Sequence, residues 1–193
     1  MKINTPNKLT IGRIIATPFF MAALMIEFPY HYAIALLIFA AASLTDMIDG
    51  KMARKYNLVT DFGKFLDPLA DKMLTTAAFL VFIKLGIGWQ ITWIVFIVLF
   101  REFMIASLRL VTVSSGGKVI AANIWGKIKT VSQMAGIILA LASYSLISDF
   151  GITGIKAGCD AAISVLLWIS AVLCVVSGAI YLAACKDHID PTK

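Results

Sequence analysis

Aspartates are concentrated in one short stretch of this chain. Of the eleven acidic residues in the sequence, five lie between Asp46 and Asp71. On a helix, with about 100° between successive residues, one narrow stripe would hold two carboxylates and two small side chains, those of Asp46, Asp49, Gly50 and Ala53. A glycine inside a helix costs about 1 kcal/mol relative to alanine, so Gly50 indicates a reason such as the close approach of a ligand.

A second carboxylate pair follows at helical spacing. Asp67 and Asp71 are four residues apart, so on a helix they point in nearly the same direction. With a short turn over residues 55–63, both pairs are expected to converge at the depth of the lipid headgroups. Four carboxylates that close together need cations among them, and hard oxygen ligands suit magnesium, manganese or calcium. Paired ions held by aspartates can clamp the oxygens around a transferring phosphoryl group.

A simpler interpretation is a solvated loop with helix-capping acids. The alignment of the acids on two helix faces beside small residues argues against it. Ionisable groups at membrane depth are usually functional.

The helices that position these acids are expected to lie in a membrane. Of the 193 residues, 60% are hydrophobic and 15% are charged. The chain therefore has more apolar side chains than the core of a soluble protein of this length could bury. A bilayer core of roughly 30 Å takes about 20 apolar residues per helix. The predicted fold is therefore all-α, a polytopic membrane protein forming a single domain over residues 1–193. Its six predicted transmembrane helices cover residues 14–28, 32–44, 66–85, 88–105, 124–146 and 161–184. A signal peptide in place of the first span is disfavoured by the five spans that follow.

The first residues predict a further, smaller element. Thr5 and Pro6 suit the N-cap and first position of a helix, so we expect a short N-terminal surface helix before the first span.

The net charge of +6 follows a topological pattern. Fifteen of the seventeen Lys and Arg residues lie on one predicted side of the membrane, and Lys84 and Lys156 lie on the other. Positive residues accumulate on the cytoplasmic side, so both termini and residues 51–64 are expected there. This explains the charge without a nucleic-acid partner.

The acidic motif as a whole resembles a known family signature. Asp46-x-x-Asp49-Gly50-x-x-Ala53-Arg54, eight further residues, and then Gly63-x-x-x-Asp67-x-x-x-Asp71 are similar to the signature of the CDP-alcohol phosphotransferases. The resemblance implies a six-helix membrane domain, usually a homodimer. Such a domain binds a CDP-linked donor, passes the phosphate-bearing half of that donor to an alcohol, and releases CMP.

The resemblance also implies roles for individual residues. Two divalent cations, magnesium or manganese, would sit on the donor's pyrophosphate, held by Asp46, Asp49 and Asp67. Asp71 would complete the second metal site and act as general base. The donor would be bound by a separate group of residues, Gly50, Ala53, Arg54, Thr60 and Gly63. For Thr60 an ordinary loop position is an equal alternative, and Asn7, Thr10 and Arg13, which resemble the family's entry segment, could equally cap and anchor the first helix.

The acceptor is indicated by basic residues of the fourth and fifth predicted spans. The pattern of four of them resembles that of the family branch that uses CDP-diacylglycerol and glycerol 3-phosphate; these four are Arg101, Arg109, Lys127 and Lys129. Cations there would bind the acceptor's phosphate, with Arg109 and Lys127 as the first candidates, although Lys and Arg snorkelling to the interface would produce the same pattern. Lys127 and Lys129 point to opposite helix faces, so both are not expected to touch substrate.

These patterns predict phosphatidyl transfer to glycerol 3-phosphate at the cytoplasmic face of a bacterial-type inner membrane. Another acceptor, such as serine or inositol phosphate, is the alternative within the family. A cation transporter is disfavoured, because transporters commonly place such acids near the bilayer midplane.

Overall fold

The computed structural model describes the backbone of residues 5–55, 61–114 and 124–185. Within these ranges the chain forms six α-helices: α1 (Thr5–Met25), α2 (His31–Lys55), α3 (Asp61–Leu85), α4 (Ile91–Ser114), α5 (Ile124–Tyr144) and α6 (Lys156–Cys185). A π-helical turn (Ser145–Asp149) and a short 3₁₀ helix (Thr153–Ile155) connect α5 to α6. The described residues contain no strand, and each predicted span overlaps one helix, so the all-α prediction is confirmed.

The apolar character of the helices is that of a membrane protein. By length and composition, three described stretches are long and apolar enough to cross a bilayer, Asn7–Met25, Ile124–Asp149 and Thr153–Cys185. His31–Asp46 is a shorter apolar stretch. The number of six spans therefore stays a prediction.

The start of α1 differs from the prediction. Thr5 does begin a helix, but that helix continues without a break to Met25. The described residues thus contain one long helix, with no separate surface helix ahead of it. Three glycines between the helices have positive φ angles, which are 67° at Gly86, 95° at Gly88 and 72° at Gly151. Glycine adopts this left-handed conformation without the strain that other residues incur.

The helices group into two compact units. Unit 1 comprises residues 1–87 and 137–160, and unit 2 comprises residues 88–136 and 161–193. The single domain over residues 1–193 stays a prediction.

Unit 1 is organised around α1, which packs along both α2 and α3. Among the described residues, α2 and α3 make far fewer contacts with each other. The rings of Phe20 and Phe39 join α1 to α2, with centroids 5.6 Å apart. At the other end of α2 the buried Asp149 carboxylate accepts a hydrogen bond of 2.8 Å from the Ala33 amide. A helix leaves its first amides without partners inside the helix, so this carboxylate stabilises the start of α2.

Unit 2 is built around a close approach between α5 and α6. Leu167 of α6 is fully buried and lies against two glycines. A Cβ at Gly136 would lie 2.8 Å from Leu167 Cδ2, and one at Gly88 would lie 3.1 Å from Leu167 Cδ1. The indole of Trp168 also donates to the carbonyl oxygen of Trp89 over 3.1 Å. Glycine at position 136 therefore lets the two helices meet.

Gly136→Ala is expected to lower the thermal stability of the detergent-solubilised protein. Overpacking costs about 1–3 kcal/mol, which outweighs the gain of up to about 1 kcal/mol in helix propensity. Since about 1 kcal/mol corresponds to roughly 2–4 °C in a chain of this size, the unfolding midpoint should fall by a few degrees. Gly12→Ala is the matched control, because a Cβ at Gly12 in α1 meets nothing within 4 Å. Equal midpoints for both variants would contradict the close approach.

Candidate active site

One side of α1 is polar and buried. Its four residues follow one another at spacings of three or four, so they share a helix face: Asn7, Thr10, Arg13 and Thr17. The Thr17 hydroxyl donates to the Arg13 carbonyl oxygen over 2.9 Å, which satisfies the hydroxyl within the helix. Beyond Thr17 the buried face becomes apolar with Phe20 and Leu24. The N-terminal half of α1 therefore brings polar groups into unit 1, and the C-terminal half supplies core.

Arg13 connects this face to the aspartate motif. Its guanidinium Nη1 donates to Asp46 Oδ1 on α2, forming an ion pair between residues 33 positions apart. The Arg13 side chain is 2% exposed and that of Asp46 is 44% exposed. The carboxylate is thus fixed by a buried cation and remains open to solvent, which leaves it accessible to a further ligand. Neither of the roles considered for Arg13, as part of the family's entry segment or as a cap and anchor of the first helix, included this partner.

The other motif residues are placed by their backbone. Asp49, Gly50, Ala53 and Arg54 follow Asp46 within α2, and Asp67 and Asp71 lie within α3. Both aspartate pairs therefore have the helical backbone that their spacing predicted, and each pair shares one helix face. Gly63 is buried on α3. The described part of the structure does not include the side chains of Asp49, Ala53, Arg54, Asp67 and Asp71, or any part of Thr60. The roles of all the motif residues therefore stay predictions.

The residues fit divalent metal ions by their chemistry. Two carboxylate pairs at spacings of three and four on helical backbone offer only oxygen ligands, which magnesium and manganese prefer. Of the four aspartates, the structure describes the side chain of Asp46 alone. Among the described side chains, no three His, Cys, Asp or Glu residues form a cluster that could hold a metal ion.

A second charged cluster lies in unit 2, where α4 and α5 meet. Arg101 Nη1 donates to Glu102 Oε1 over 3.0 Å, and the ammonium group of Lys129 donates to the same oxygen. Lys129 is 4% exposed. Charged groups buried to this degree require partners, and the Glu102 carboxylate supplies one to each cation.

The four predicted acceptor residues therefore differ in their surroundings. Arg101 and Lys129 share Glu102, whereas Lys127 is exposed on the other side of α5. The opposite orientation of the two lysines was expected and is confirmed. Arg109 lies with its Cζ atom 5.9 Å from the centroid of the Tyr181 ring, within range of a cation–π interaction. Glu102, which accepts from both cations, was not among the predicted site residues, although an acid beside an arginine in the middle of an apolar helix is a signal that draws attention to it.

The family model of the CDP-alcohol phosphatidyltransferases matches residues 3–181 of this chain. The chain belongs to this family. The resemblance inferred from the spacing of the motif between Asp46 and Asp71 is thereby confirmed.

Curated relatives are similar over most of the chain. A protein of Rickettsia bellii is 38% identical over 97% of this chain and 99% of its own length. One from Haemophilus influenzae is 37% identical over 98% of this chain and 97% of its own. A Bacillus subtilis protein is 41% identical over 69% of this chain and 74% of its own. All three carry the name CDP-diacylglycerol–glycerol-3-phosphate 3-phosphatidyltransferase.

The ion pair between Arg13 and Asp46 can be tested by a double-mutant cycle. The variants Arg13→Gln and Asp46→Asn and their combination are compared by equilibrium unfolding in detergent containing a chelator. We expect the double variant to lose less stability than the sum of the single variants, with a coupling energy of about 0.5–3 kcal/mol. Because Asp46 is 44% exposed, solvent screening places the coupling near the lower end.

The matched control replaces Lys8, an exposed residue of the same helix. Lys8→Gln and Asp46→Asn should add within about 0.5 kcal/mol. Additivity in the Arg13 cycle as well would show that the pair does not contribute to folding.

Proposed function

We propose that this phosphatidyltransferase transfers the phosphatidyl group of CDP-diacylglycerol to glycerol 3-phosphate, giving phosphatidylglycerol phosphate and CMP. One observation carries the proposal. Relatives named for this reaction match the chain over nearly their whole length. One example is the protein of Rickettsia bellii, which is 38% identical over 99% of its own length. The helical placement of both aspartate pairs supports the same chemistry.

The donor is bound by the motif on α2 and α3. Asp46, Asp49, Asp67 and Asp71 hold two divalent cations, magnesium or manganese, which when bound neutralise the pyrophosphate and the charge on departing CMP. The small residues Gly50, Ala53 and Gly63 let the nucleotide lie against the backbone. Arg54 reaches the donor's phosphates, and Thr60 directs its hydroxyl to the donor. Arg13 keeps the Asp46 carboxylate in one orientation.

The transfer itself requires one proton to move. Asp71 takes the proton from the acceptor hydroxyl, and the hydroxyl oxygen forms a bond to the phosphorus of the phosphatidyl group. The bond from that phosphorus to the oxygen shared with CMP breaks, and CMP leaves with the electron pair. The phosphate of glycerol 3-phosphate is bound by basic residues of α4 and α5, drawn from Arg101, Arg109, Lys127 and Lys129. The acceptor carries about two negative charges, and without these basic residues the pyrophosphate and the carboxylates would repel it.

The setting of the reaction is the cytoplasmic face of a bacterial inner membrane. Six spans cross the bilayer with both termini in the cytoplasm, and fifteen of seventeen basic residues on one side support this orientation. The chain works as a homodimer, as the resemblance to its family implies.

The acceptor assignment is tested by CMP release from CDP-diacylglycerol in detergent micelles. Purified protein should release CMP with glycerol 3-phosphate and form phosphatidylglycerol phosphate in equal amount. Serine and inositol phosphate should give at least tenfold lower kcat/KM, which corresponds to about 1.4 kcal/mol of transition-state stabilisation. Faster release with either of these alcohols would assign a different acceptor. Asp67→Asn serves as the control for CMP formed without the enzyme.

A further inference from the structure

Glu102 joins two of the predicted acceptor residues in unit 2. Its Oε1 atom accepts hydrogen bonds from Arg101, the preceding residue on α4, and from Lys129 on α5. Two cations on one carboxylate oxygen leave this triad of Arg101, Glu102 and Lys129 with a net charge of +1. Its own three side chains thus make the triad positively charged, and it lies on two predominantly apolar helices.

Burial makes this arrangement sensitive to the carboxylate. Lys129 is 4% exposed, and the side chains of Arg101 and Glu102 are 15% and 17% exposed. A lysine at that depth keeps its charge and its orientation only with an anion or dipoles beside it. The partial exposure of the other two side chains leaves the triad open to a small anion.

Packing from α6 restricts the triad further. Gly178 lies against the aliphatic part of Arg101, where a Cβ would be 3.3 Å from Arg101 Cγ and 3.1 Å from Met104 Cε. One turn after Lys129, the Gln133 amide donates to Cys174 Sγ over 3.6 Å. Contacts with α6 thus hold both α4 and α5 at the level of the triad.

The other two basic candidates lack this arrangement. Lys127 is exposed, and the guanidinium of Arg109 lies over the Tyr181 ring. Arg101 and Lys129 are instead directed at a shared point, which is the geometry needed to bind one phosphate with two cations.

We propose that Glu102 is a positioning residue of the acceptor site, holding Arg101 and Lys129 ready for the acceptor's phosphate. When glycerol 3-phosphate binds, its phosphate oxygens accept hydrogen bonds from the two cations, while the carboxylate keeps them in place. Glu102 itself, being an anion, does not bind the phosphate. This assignment rests on the proposed function and selects two of its four candidate cations.

The test is kinetic, with each substrate varied separately. Glu102→Gln keeps the size of the side chain and removes its charge, so the acceptor KM should rise at least tenfold. The KM for CDP-diacylglycerol should change by less than threefold, and Glu102→Asp should restore part of the acceptor affinity. A role confined to folding would lower the amount of active enzyme and leave both KM values unchanged. Glu27→Gln, at the chain's other glutamate, which is exposed between α1 and α2, is the matched control.

A second variant keeps every charge in place. Gly178→Ala puts a methyl group against the Arg101 side chain and should also raise the acceptor KM selectively. An unchanged acceptor KM in Glu102→Gln, or equal damage to both substrates in both variants, overturns the inference while wild-type activity with glycerol 3-phosphate persists. If the wild-type protein itself does not use glycerol 3-phosphate, the proposed function fails, and this inference with it.

Discussion

A charge inside an apolar helix must be balanced by an opposite charge, and this requirement shapes both clusters of the protein. A lone ion at such depth costs several kcal/mol, whereas a hydrogen-bonded pair avoids most of that cost. Arg13 is 2% exposed because Asp46 accepts from it. Lys129 is 4% exposed because Glu102 does the same. Each pair joins two helices, so balancing the charges also positions those helices.

The same requirement connects the fold to the chemistry. Arg13 supplies one cation to Asp46, and under the proposed reaction metal ions would balance the remaining negative charge of the aspartate motif and carry the donor's pyrophosphate. In unit 2 the cluster has the opposite sign, since two cations share Glu102, and under the proposed reaction this would suit an anionic acceptor. Under the proposed reaction, the acidic motif would bind the donor through metal ions, and the basic cluster would bind the acceptor.

Local patterns in the sequence predicted much of this. Apolar runs located all six helices, and fixed gaps between Asp46 and Asp71 identified the family. The separate surface helix was wrong because Thr5 and Pro6 specify where a helix begins but carry no information about its end. The pairing of Arg13 with Asp46, 33 residues away, depends on how α1 packs against α2, which no local spacing reveals. The contact between Glu102 and Lys129 was not predicted for the same reason, since the two residues lie on different helices.

If the aspartates act through divalent cations, activity requires the metal, and metal dependence is the most direct test of this mechanism. Chelator-treated protein in detergent is assayed for CMP release from CDP-diacylglycerol and glycerol 3-phosphate as magnesium or manganese is added back. We expect no release without metal, recovery with either ion, and no recovery in folded Asp46→Asn or Asp67→Asn protein. Full activity in metal-free wild-type protein would contradict a mechanism through divalent cations.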